Sequence, residues 1–219
     1  MQHEEAIESA IEEFKSQGVD LSGIFTGVGL QSHSIYQLSS QIKESIAQED
    51  HSSLEVSIRS LEEIIFTDEV QSEAVPVLLA SKMISCFDTG VEVLQDKDTT
   101  LAHFLRVYSK ILLLSTDLKE QFRSRNYVEA IPFDHSSVQV KCAALSVAGS
   151  LAASHEAGKA VVMSKNPHTC ILEVLDIVVA KDMNDVDLAI ESTSAVIVSL
   201  ASADDLTQPS SRYGVVILC

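Results

Sequence analysis

Apolar side chains recur at three- and four-residue spacing through most of this chain, the period of amphipathic helices. Ala6, Ile7, Ala10, Ile11 and Phe14 predict a first helix over Glu4–Lys15, with Glu4, Glu5, Glu8, Glu12 and Glu13 on its other face. Gly18 stops it. Residues 19–34 carry Gly23, Gly27 and Gly29 among Ser and Thr and read as a linker. Ile35, Leu38, Ile42 and Ile46 predict a second helix over Ile35–Gln48. Ser52 and Glu55 have capping-box spacing at the head of a helix that lines up Leu54, Ile58, Leu61 and Ile65. Pro76 suits the first turn of a helix over Val77–Phe87, closed by Asp88, Thr89 and Gly90. Thr99 or Thr100 caps a long helix through Ser115, so apolar around its girth that it must touch neighbours on more than one side. Ser136 and Gln139 form a second capping box before Val138–Ala152. Asn184 caps a last helix over Val186–Ala203.

The later helices repeat. Leu113-Leu114-Ser115, Ser150-Leu151-Ala152 and Ser199-Leu200-Ala201 align, with 37 residues from Leu114 to Leu151 and 49 from Leu151 to Leu200. The mean, about 43, lies within the period of roughly 40–47 residues of two- and three-helix repeats. Ala143, Ala144 and Ala148 let neighbouring helix axes approach closely.

Composition supports helices. Hydrophobic residues make up 46% of the 219, aromatics 5%, and Trp is absent, so aliphatic and small side chains are expected to do the packing. Eight Gly and four Pro are too few turn residues for a sandwich or barrel. A net charge of −17 disfavours nucleic acid and anionic membranes as partners, and suits a basic protein or peptide. Cys86, Cys142 and Cys170 lie in apolar helical patterns and read as core residues; with Cys219 they form no CxxC pair. No HxxxH or HExxH spacing suggests a metal, and no GxSxG elbow or phosphate-cradling loop suggests an enzyme. The acidic start Met1-Gln2-His3-Glu4-Glu5 is unlike a secretory leader, and the apolar runs Ile171–Ala180 and Ser194–Ala203 are short for a bilayer. The expected location is cytoplasmic or nuclear.

One stretch works as an address. Phe14-Lys15-Ser16-Gln17-Gly18-Val19-Asp20-Leu21-Ser22-Gly23-Ile24 follows the first helix and resembles the N-terminal segment of the armadillo repeat-containing protein 6 family. Beyond it the likeness is generic. Val138–Ala152 is similar to the third helix of an armadillo repeat, and Glu129-Ala130-Ile131-Pro132 resembles a shortened repeat boundary, with the second helix between Pro132 and Ser136 abbreviated. The resemblance implies an all-α, armadillo/HEAT-like α-solenoid, a right-handed superhelix of stacked helices. Its N-terminal helix and Gly/Ser-rich linker would fill residues 1–34, the repeats 35–204, and a tail 205–219. That tail ends on apolar Tyr213–Cys219, which is expected to fold back on the last repeat, to lie disordered or to mark a truncated product.

By the same resemblance the chain is a non-enzymatic scaffold or adaptor that binds proteins or peptides, needs no cofactor, metal or small-molecule substrate, and leaves nucleic acid and membranes alone. A co-chaperone that drives nucleotide exchange is the alternative. Importin-type armadillo proteins hold basic peptides with an Asn ladder. The matching positions here are Ser150 and Ser199, with Leu113 one repeat earlier, so the ladder is missing. Ser146, Ser150 and Ser199 are the candidate partner-binding residues, as small hydroxyls on a concave face; the other reading makes them small residues that permit helix packing.

Overall fold

A computed structural model describes residues 31, 33–65, 71–181, 190, 192–194 and 197–198. Every regular element among them is helical, and no strand occurs among them. The predicted helices over Glu4–Lys15 and Val186–Ala203, the linker and the tail fall wholly or largely outside the described residues. The described chain divides into two compact units, one ending at Cys86 and one beginning at Phe87. No single helix among the described residues is long and apolar enough to cross a membrane.

In the first unit α1 (Ser34–Ala47) packs against α2 (His51–Ile65) and α3 (Gln71–Ser81). The expected apolar stripes make most of this contact: Ile35, Ile42 and Ile46 of α1, and Leu54, Ile58, Leu61 and Ile65 of α2, are buried, whereas Leu38 is only half-buried and Ser39 is buried beside it. Each side chain so buried contributes about 1.5–3 kcal/mol. Lys43 of α1 donates its ammonium to the carbonyl of Ser81, the last residue of α3.

Several helix boundaries differ from the sequence expectation. Asp50, not Ser52, starts α2: its Oδ1 accepts the Ser53 amide at 3.2 Å and its Oδ2 the Ser53 hydroxyl at 2.6 Å. A full carboxylate charge suits the positive helix end better than a hydroxyl. The same Ser53 hydrogen bonds hold the Asp50 carboxyl below its ordinary range. Glu55 turns instead to Arg59, 2.7 Å away and one turn on. Pro76 lies inside α3 rather than in its first turn, and α3 stops at Lys82, whose φ of 54° is left-handed. A short 3-10 turn, Met83–Cys86, follows.

The second unit runs through α4 (Phe87–Val93), α5 (Asp98–Leu114), α6 (Thr116–Ser124), a 3-10 turn at Tyr127–Ala130, α7 (Val138–Ala152), α8 (Glu156–Ser164) and α9 (Pro167–Lys181). Asp88, Thr89 and Gly90 belong to α4 and do not close a helix. Thr99 and Thr100 lie within the first turn of α5, where the Asp98 carboxylate supplies the favourable charge. Ser115 ends α5 in extended conformation and caps α6, its hydroxyl accepting the Asp117 amide at 3.0 Å. The Ser136–Gln139 box gives way to His135, whose Nδ1 accepts the Ser137 amide at 3.1 Å just ahead of α7. Residues 131–137 contain no helix, matching the expected abbreviation.

Aromatic residues, although few, are concentrated. Phe87 is the hub, with ring centroids 4.6 Å from Phe122, 4.9 Å from Tyr108, 6.1 Å from Phe104 and 6.2 Å from Tyr127. Here aromatic packing corrects the expectation that aliphatic side chains do all the work. Gly90 is needed beneath this cluster, because a Cβ there would lie 2.3 Å from the Phe104 ring.

Two stretches of the second unit lie side by side in register. His135 Nε2 meets the Gln95 carbonyl, Ser109 meets Ser146 and Ser150, Lys119 meets the Ala153 carbonyl, and Lys165 meets Glu129. Partners are 34–41 residues apart, and later residues always meet later residues. The spacing of Leu114 and Leu151 reflects this register. Left-handed Asn126 and Asn166 turn the chain after α6 and α8, at corresponding corners. Among α7 residues, all but Val138, Gln139 and Ser146 are buried, as a helix flanked on several sides requires.

Gly90→Ala is expected to destabilise the chain by about 1–3 kcal/mol in chemical denaturation, through overpacking. Adding Phe104→Leu, which vacates the space, should recover part of that loss; no recovery would mean the clash is not the cause. Lys119 is mostly buried, and removal from water lowers the pKa of its ammonium. The unfolded chain therefore holds this proton at alkaline pH where the folded chain releases it, and folding stability gains as pH rises toward the ordinary lysine value of 10.5. Thermal melts from pH 8 upward should show the wild type gaining on Lys119→Met; a constant difference would refute it.

Candidate functional site

The α1–α2 hairpin makes an open groove of about 540 Å³. One wall is a single face of α1, where Gln41, Glu44, Ser45 and Gln48 recur at helical spacing. The other is built by Asp50 and by Ser52, Ser53, Val56 and Ser57 of α2. Ser45 and Ser57 are buried at 7% and 6% exposure, so they form the floor, where small side chains leave the space open. Val56 is 66% exposed and gives the rim its apolar element.

The polar groups around this groove are partly committed. Gln48 donates to Glu44 Oε1 at 3.0 Å, and Asp50 holds Ser53. No Lys or Arg lines it, so two carboxylates set its electrostatics. Amides, hydroxyls and carboxylates on a concave helix pair can bond an extended backbone or a cationic side chain.

The sequence-predicted serines lie elsewhere. Ser109 and Ser150 are buried at 7% and 6% exposure, and their hydroxyl oxygens are 2.9 Å apart. Ser109 donates to the Ser146 carbonyl at 3.2 Å, which leaves Ser150 to donate to Ser109. Ser146 is half-buried and bonds back to the Cys142 carbonyl in its own helix at 3.0 Å. Ser146 and Ser150 thus sit together at the α5–α7 seam. Ser199 lies outside the described residues, and Leu113 is 58% exposed.

Cys86, Cys142 and Cys170 are buried free thiols. Cys142 and Cys170 share an apolar cluster with Leu145, Ile171 and Val174. Burial pushes the Cys170 thiol up to about 12, so at neutral pH it is protonated and a poor nucleophile. No group of three or more His, Cys, Asp or Glu arranged for a metal occurs among the described residues.

Sequence reasoning missed the groove. Its signal was available: Gln41, Glu44 and Gln48 share the α1 face carrying Ser45, while Ile35, Ile42 and Ile46 take the buried positions.

Comparison with known proteins follows the same segment. No curated protein and no solved structure matches the chain. Residues 1–52 match the family model described as the armadillo repeat-containing protein 6 N-terminal domain. The match takes in α1 and the groove residues from Gln41 to Ser52. It bears out the likeness carried by Phe14–Ile24: over residues 1–52 this chain resembles the armadillo repeat-containing protein 6 family.

Proposed function

We propose that this protein is a non-enzymatic scaffold or adaptor, built as an armadillo-like α-solenoid, that holds extended segments of other proteins. The single observation that carries this reading is the register in the second unit, where successive helical blocks meet at offsets of 34–41 residues. Blocks that contact only their neighbours in sequence are how a solenoid is made, and the faces left open along it serve as binding surface. The family match over residues 1–52 supports a protein-interaction role. The α1–α2 groove is the docking place of this reading. Its carboxylates and the −17 charge suit a basic segment. Cytoplasm or nucleus is the proposed location.

Proximity labelling with the intact chain, alongside a Gln48→Arg/Val56→Asp variant, tests the proposal. Both side chains line the open groove, so circular dichroism should be unchanged. The intact chain should label a reproducible set of proteins that falls at least fivefold with the variant. Labelling indistinguishable from an inert control would end the scaffold reading; an equal set with both proteins would move docking away from the groove.

A further inference from the structure

The described residues of α5 bury nine side chains and leave one stripe open. His103, Arg106 and Lys110 are half-buried on that stripe, and Leu113 is 58% exposed at its end. Their spacing, three and four residues apart, puts all four on one helix face. Basic and imidazole side chains in a row are unexpected in a chain with 32 acidic and 15 basic residues.

Arg106 is the informative member. Its Nε is buried without a hydrogen-bond partner, and no ion pair engages it among the described residues. Arg59 and Arg123, by contrast, hold Glu55 and Glu120. A guanidinium does not shed its charge, and it presents donors in a planar fork that matches a carboxylate. An unmet buried donor is destabilising, and because Arg106 as a whole is only half-buried, part of its side chain stays open to an acceptor arriving from outside.

We propose that this α5 stripe docks an extended acidic segment of another protein, with Arg106 taking a carboxylate and Leu113 an apolar side chain. The proposal rests on the scaffold reading and adds a second face of opposite charge to the groove. Geometry sets the spacing of the occupant. Arg106 and Leu113 are seven residues apart, about 10.5 Å along the helix. Three residues of extended chain span about 10 Å. The fitting segment therefore has an Asp or Glu three residues from a Leu, Ile or Phe. The neighbouring α7 contributes Gln139 and Ser146, which are not buried, as groups able to bond the segment's backbone. Ser150, four residues on from Ser146, touches Ser109, three residues on from Arg106, so the two stripes flank one seam.

Two labelled twelve-residue peptides test it, one repeating Asp-x-x-Leu and one with Lys in place of each Asp, with inorganic phosphate as a plain anion. Fluorescence anisotropy reads affinity, and amide NMR shifts of the full chain read the location. The Asp peptide should bind and shift α5 amides between Arg106 and Leu113. Arg106→Gln should weaken it at least tenfold, Arg106→Lys severalfold because the fork is lost, and Leu113→Ser severalfold, with exposed Glu63→Gln as an unaffected control. Should Arg106→Gln fail to fold, Arg106→Lys and Leu113→Ser carry the comparison. Equal binding by wild type and the α5 variants, shifts outside α5, α5 shifts with the Lys peptide instead, or equal shifts with phosphate alone would overturn the proposal. If the groove variant still loses partners while α5 is silent, only this inference falls; if neither face binds anything, the scaffold reading falls with it.

Discussion

The hydrogen-bonded seam between α5 and α7 is the constraint on which the second unit depends. Ser109 touches the Ser146 carbonyl and the Ser150 hydroxyl, which fixes both the closeness and the register of the two helices. Hydroxyls at that seam need each other, because neither is open to water. A larger side chain at either serine would force the helices apart, and apolar replacement at one would leave the other unmet. Ala143, Ala144, Ala148 and Gly149 keep the rest of α7 slim enough for neighbours on several sides. Once this seam is set, the corner contacts follow in order along both stretches, from His135 on Gln95 to Lys165 on Glu129.

How much of this was legible depends on which physical signal was in play. The apolar stripes of α1 and α2 were read to within about a residue or two, the usual uncertainty of helix ends. Burial energy decides those positions, and it is written directly into the sequence period. The spacing of Leu114 and Leu151 likewise anticipated the register. Caps were read poorly because several polar residues compete within each candidate turn. At α2, Asp50 stands two residues ahead of Ser52 with a full charge; at α7, the imidazole of His135 reaches an amide that a serine was expected to serve. Gly90 looked like a helix stop, whereas the Phe104 ring lies against it. No local pattern reveals a contact made by a residue fourteen positions further on.

The candidate site was legible only in part. Ser146 and Ser150 do come together, but at a packed seam, where small size and a hydroxyl both have structural uses. The groove went unnoticed because its residues are ordinary ones, mostly Gln and Ser on two helices, and only the hairpin makes them concave. Arg106 went unnoticed for a related reason: a single arginine on a helix face becomes unusual only once its lack of a partner can be seen.

The charge balance ties these features together. Several basic side chains act as ties between elements rather than as open surface. Lys43 holds the end of α3, Lys119 holds the carbonyl after α7, Lys141 holds Glu173, and Lys165 holds Glu129. Lys43 and Lys119 do this work at helix ends, where the last carbonyls lack partners and the dipole is negative. A tie to a carboxylate cancels one acid along with one base, and a tie to a carbonyl leaves the charge in place, so the net charge of −17 still sets the outer field. Arg106 stands outside this system of ties. Arg106 differs from exposed cations such as Arg125 in having a buried Nε that no acceptor meets.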